Sequence, residues 1–81
     1  MDTTQWPKEW QKAAHVWTKK ADRILEKLKA RAKSKGFYEN FGQNELRDFQ
    51  DRVRPQVHYQ VYCYVSDYLS NKIDNLSLET I

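Results

Sequence analysis

From Trp6 to Ala32 apolar residues return every three or four positions: Trp6, Trp10, Ala13 with Ala14, Trp17, Ala21, Ile24, Leu28 and Ala32. At about 100° per residue they fall within an arc of roughly 120°, the stripe of a helix that packs one face on a core. Strand-like alternation is absent, and Ala, Lys, Glu, Arg and Leu dominate residues 19–33, all good helix formers. The pattern predicts a first helix over about residues 6–35. Pro7 suits its first turn, where the missing N–H is not needed, with Thr3 or Thr4 as the cap. Gly36, just after Lys33 and Lys35, is a good stop: glycine accepts the left-handed conformation, and cations complement the helix C-terminus.

A second stripe begins after Gly42 with Leu46, Phe49 and Val53. Asn40, followed three residues later by Gln43, fits a capping box, with Asn44 as a later cap. The phase then runs through Pro55 into Val57, Val61, Tyr64, Val65, Tyr68 and Leu69. Such continuity means a kinked continuous helix or two helices with a short break. A proline inside an unbroken helix costs about 3 kcal/mol, which favours two helices, over about 43–53 and 55–76, with Pro55 in the first turn of the latter. Residues 57–65 also alternate Val57, Tyr59, Val61, Cys63, Val65, a strand signature. A lone strand has no partner in a helical chain, and Leu69, Ile73 and Leu76 extend the helical stripe.

The expected fold is therefore all-α: a helical hairpin or three-helix arrangement forming a single domain over residues 1–81, with Trp10, Trp17, Ile24, Leu28, Leu46, Phe49, Val61 and Val65 in the core. The last helix has an apolar and tyrosine arc of about 180° that includes Tyr62, Leu69 and Ile73, wider than one partner helix covers. Either the first two helices cover it together, or a homodimer does so through this helix, as small domains often associate.

Composition narrows the chemistry. With 31% charged and 40% hydrophobic residues the chain reads as an ordinary globular one. The lone Cys63 excludes an intramolecular disulfide, and two His with one Cys, without paired spacing, do not make a metal site. No apolar run approaches the roughly 18 residues of a membrane span, and no secretory leader is evident, so the expected location is a reducing cytoplasm. Cys63 and His58 lie five positions apart, about 140° around a helix, and cannot act as nucleophile and base. The carboxylates sit among Lys and Arg at helical spacing, and the stretch GFYENFG lacks the features of a phosphate loop. No cofactor motif is present, and the expectation is a protein without enzymatic activity.

Charge placement is more informative. Residues 19–35 hold eight cations against Asp22 and Glu26, a local net of +6 that leaves the rest of the chain at −3 within the total of +3. Lys12, Lys19, Lys20, Arg23, Lys27 and Arg31 line one flank of the first helix for about 28 Å at about 1.5 Å per residue. Such a stripe can track nucleic-acid phosphates or simply be a solvated face. The last helix offers only Lys72 among Val, Tyr and Cys, so it is a poor recognition helix for base edges. In the loop, Phe37, Tyr38 and Phe41 either plug the bundle end or form an anchor flanked by Lys33, Lys35 and Arg47, a mixture typical of interface hot spots. The leading expectation is a binding protein of regulator or inhibitor type, such as small phage or mobile-element accessory proteins provide, docking on a protein partner through this loop. The alternatives are sequence-nonspecific nucleic-acid binding through the first helix and a structural subunit using the last helix.

Overall fold

The computed structural model describes residues 3–36 and 40–79, with side chains through residue 76. Three helices follow one another: α1 (Lys8–Lys35), α2 (Gln43–Val53) and α3 (Tyr59–Glu79). The fold is the expected all-α three-helix arrangement. The alternating residues 57–65 contribute to α3, where packing overrides their strand propensity.

α1 begins later than its apolar phase because Pro7, at φ −53° and ψ 149°, stands outside the helix as its boundary residue. The Pro7 carbonyl accepts the Trp10 and Gln11 N–H groups at 3.0 and 3.1 Å. No side chain caps this end, so the expected threonine cap is not made. Gln11 Nε2 instead reaches back to the Trp6 and Thr3 carbonyls at 2.9 and 3.3 Å and ties down the preceding turn. At the other end Gly36 stops the helix as expected, with φ 77° and ψ −177°, a conformation that is essentially glycine-only.

α2 spans the expected residues, but its start is built differently. Gln43 is the first helical residue, so Asn40 lies too far upstream to cap it, and the expected capping box does not form. Asn40 is left-handed (φ 63°), and its carbonyl takes the Gln43 N–H at 3.0 Å. Gly42, also left-handed (φ 82°), precedes the helix and is buried. A β-carbon there would sit 2.9 Å from Ile73 Cγ2 and 3.4 Å from Leu28 Cδ1. Gly42 is where the loop crosses between α1 and α3.

Pro55 breaks the chain rather than kinking it, and it lies in a turn rather than in the first turn of α3. Gln56 N–H closes that turn on the Val53 carbonyl at 2.9 Å. α3 starts four residues later than expected because His58 caps it: Nδ1 accepts the Gln60 N–H at 3.1 Å and its carbonyl takes the Tyr62 N–H at 2.9 Å. The imidazole stacks on Trp10, 4.0 Å between centroids and 21° between planes. Trp6 adds edge-to-face contacts with Trp10 and Tyr64 at 5.9 and 5.6 Å, closing this end of the bundle.

The core runs along all three helices. Trp17, Leu28, Leu46, Phe49, Val61 and Val65 are buried in it as expected. Trp10 and Ile24 instead lie half-buried at its edge, while Leu25, Val53, Leu69, Ile73 and Leu76 are buried. The wide apolar face of α3 is thus covered by α1 and α2 of the same chain, which removes the reason for covering Leu69 and Ile73 with a second copy. Tyr62 is half-buried beside them.

Gly42→Ala should cost on the order of 1–3 kcal/mol in urea unfolding, from left-handed strain plus the approach to Ile73. A change within about 0.5 kcal/mol would show that the loop moves aside freely. His58→Ala should cost about 1 kcal/mol or more, and His58→Asp should recover the capping share. Equal losses in both variants would place the whole contribution of His58 in its stacking on Trp10.

Candidate functional site

α1 packs more extensively on α3 than on α2, and α2 is only 11 residues long against 28 for α1. The α1–α2 seam is therefore closed by few side chains, chiefly Trp17 meeting Phe49 edge to face at 5.8 Å. Beside that contact lies a groove of about 380 Å³. Lys20, Arg23 and Lys27 from α1 and Arg52 from α2 stand around a floor that includes Trp17, Ile24 and Phe49. Among the described residues none of these four cations is paired with a carboxylate. Lys20 Nζ lies 4.3 Å from the centre of the Trp17 ring, a contact worth about 0.5–1 kcal/mol at an exposed site.

The groove changes character toward its ends. Beyond Lys27 a hollow of about 270 Å³ includes Arg31, Glu45 and Asp48. There Arg31 donates to Glu45 Oε1 at 2.6 Å and lies over the Phe41 ring at 5.3 Å. In the opposite direction Gln56 leads into a hollow of about 410 Å³ whose walls include Trp10, Ala13, Pro55 and His58. The central stretch therefore has four cations and no acid in its own lining, while Lys27 and Arg52 also border the hollow that holds Glu45 and Asp48.

Of the helix 1 stripe, the structure gathers Lys20, Arg23 and Lys27 at the groove. Arg31 is engaged with Glu45 and Phe41, and Lys12 and Lys19 are exposed elsewhere on α1. Of the loop residues, Phe41 is 8% exposed and belongs to the core, so it plugs the bundle end and presents no anchor. Its ring faces inward because Gly42 carries the chain between α1 and α3. Lys33, Lys35 and Arg47 are exposed; Phe37 and Tyr38 lie outside the described residues. Arg52 belongs to α2 and is absent from the cationic stripe read from the sequence, which lies on the first helix alone. Its signal was present: it follows Phe49 by three residues, which places it on the rim of whatever Phe49 packs against.

Elsewhere two tyrosines are perturbed. Tyr59 is 67% exposed, and hydrogen bonding to the Cys63 thiol raises its pKa above the ordinary value. Tyr68 donates to Asp22 Oδ1 at 2.6 Å, joining α3 to α1. That bond, then burial and the nearby Asp22 charge, push the Tyr68 hydroxyl up to about 12. Among the described residues no three of His, Cys, Asp and Glu come together as a metal-binding group, and no helix is long and apolar enough to cross a membrane. No protein-family model, curated protein or solved structure matches the chain.

Because the Tyr68 pKa in the folded chain lies above the usual value of about 10, its contribution to stability is full below about pH 10 and is lost as pH rises toward about 12. Spectrophotometric titration should show a component ionising near pH 12 that Tyr68→Phe removes and Asp22→Asn lowers. Ionisation of all five tyrosines near pH 10 would mean the bond to Asp22 is absent in solution.

Proposed function

We propose that the protein is a small non-enzymatic binding module that docks on a protein partner, as a regulator or inhibitor, through the α1–α2 groove. The observation that carries this reading is the set of four cations, Lys20, Arg23, Lys27 and Arg52, that have no carboxylate partner among the described residues and stand around an apolar floor in a concave seam. Trp17 and Phe49 are already buried in the chain's own core, so a protein surface gains there by covering the half-buried Ile24 while matching the charged rim, the arrangement of an interface core with a polar edge. Phe41 is part of the core and offers no anchor, so the reading rests on the groove rather than on that loop residue. Binding in a reducing cytoplasm suits a chain whose single cysteine is Cys63.

Nucleic-acid backbone binding through α1 is the second reading, favoured by Lys12 and Lys19, which extend the positive surface outside the groove. It makes less use of the seam, because phosphates bind exposed ridges of cations and need no apolar floor. Affinity capture from native host extract, with and without nuclease, separates the two. A partner retained after nuclease and lost in the triple variant Lys20→Glu, Arg23→Glu, Lys27→Glu is expected. Capture abolished by nuclease, with duplex binding that weakens steeply between about 50 and 200 mM salt, would replace the protein partner with nucleic acid.

A further inference from the structure

The groove also carries information on the occupant, resting on the docking reading above. Its cations enter at helical steps: Lys20, Arg23 and Lys27 are three and four residues apart on α1, a rise of about 10 Å along the axis at about 1.5 Å per residue. Between and beside them the apolar positions Ala13, Trp17 and Ile24 follow the same period on α1, with Phe49 opposite. Ala13 and Ile24 are only partly buried by the chain itself. A row of side chains at three- and four-residue steps forms a ridge with grooves beside it, the geometry into which another helix packs its own ridge. An extended strand presents side chains at a period of two and matches only one of these positions at a time.

We propose that the α1–α2 groove binds an acidic amphipathic helix of a partner protein, completing a fourth helix position in the bundle. Carboxylates along one edge of that helix meet Lys20, Arg23, Lys27 and Arg52, and its apolar face lies on the half-buried Ile24 and, past Trp17, on Ala13 in the adjoining hollow. Charge complementarity selects this occupant. The four rim cations make no ion pair among the described residues; Lys20 and Arg23 stand in a lining that holds no acid, while Lys27 and Arg52 also border the hollow of Glu45 and Asp48, where Glu45 is taken by Arg31. A neutral or basic helix would bury or crowd these charges without partners.

The test uses a synthetic helical peptide with Glu on one face and Leu at three- and four-residue steps on the other, titrated into the isotope-labelled full chain. Expected are amide shifts concentrated at Trp17, Lys20, Arg23, Ile24, Lys27, Phe49 and Arg52, and at least tenfold weaker binding in the double variant Lys27→Glu, Arg52→Glu. Both residues are exposed, so circular dichroism should show the variant folded. The same peptide with Lys in place of Glu should not bind. Equal affinity for a Glu peptide lacking Leu, or for a DNA duplex, would overturn the proposal by showing a surface that takes any polyanion. Shifts confined to another face would overturn it as well. If the peptide fails while capture of a nuclease-resistant partner is still lost on reversing Lys20, Arg23 and Lys27, the acidic helix falls and the docking reading stands. Failure of both removes both.

Discussion

α1 is as long as the molecule. Its 28 residues rise about 42 Å at about 1.5 Å per residue, and the longest dimension of the chain is 41 Å. Every other element has to find its burial on this one rod, and neither of the others is long enough to match it. α3, with 21 residues, covers roughly three quarters of the length, and α2, with 11, well under half. The strip of α1 toward α3 is lined by Ala14, Ala21, Leu25 and Ala32, mostly small side chains that let the two axes approach closely, and these residues are buried. The strip toward α2 carries Trp17, which is buried, and Ile24 and Arg31, large side chains that the short helix leaves half-buried. An open seam on one side of α1 follows from these lengths and sizes.

The connections accommodate the same mismatch. α2 must begin near the C-terminal end of α1 and hand the chain back so that α3 can run along the rest of the rod. Gly36 and Gly42 bracket the first reversal with two positive-φ positions, and Ile73 and Leu28 close over the second, leaving no room for a side chain there. Pro55 ends hydrogen bonding at the other reversal, and His58 restarts it. Stacking on Trp10 fixes the imidazole that makes this cap, so the start of α3 is set by a residue two turns or more of α1 away from the core centre. Tyr68 to Asp22 then holds α3 to α1 farther along the rod.

Helical periodicity was enough to read α1 and α2, but the phase ran straight through Pro55, and the cost of a proline inside a helix was what favoured a break there. Periodicity did not separate Ile24 from Leu25. Both are apolar, they point 100° apart, and the choice depends on which neighbour is long enough to cover each: α3 takes Leu25 and short α2 leaves Ile24 at the edge. The same limit hid Arg52, whose role depends on where Phe49 docks. The caps were misread for a different reason. Asn40, Thr3 and Thr4 are good capping residues by type, yet a cap requires a backbone position, and Gly42 and Pro7 took those positions. His58 as the α3 cap was invisible because its ring needs Trp10, 48 residues earlier, to hold it in place. The aromatic loop could be read either way from its sequence, and Phe41 resolves inward because Gly42 lets the chain pass against the core.

The charges along the open seam run against the local interest of the helix. Lys20 with Arg23, and Arg23 with Lys27, are like charges at three- and four-residue spacing, each pair opposing helix formation by about 0.2–0.5 kcal/mol. A carboxylate placed among them would turn that repulsion into a modest gain, as Glu45 does for Arg31 a turn later. Asp22 and Glu26 do lie in this stretch of α1, but Asp22 is bonded to Tyr68 on the α3 side and Glu26 pairs with Lys29 at 3.7 Å. Both acids are thus committed to the far flank; Glu45 and Asp48 of α2 share a hollow with Ile24, Lys27 and Arg52, and the ion pair made there is that of Glu45 with Arg31. Apart from the contact of Lys20 with the Trp17 ring, placement of that kind adds nothing to the stability of the isolated chain; under the proposed docking, an outside acid would meet cations that hold no carboxylate among the described residues. The apolar floor supplies what charge alone does not, since surface ion pairs in water are worth little and need a water-excluding contact beside them to gain strength. Under the proposed docking, seam and charge therefore act together.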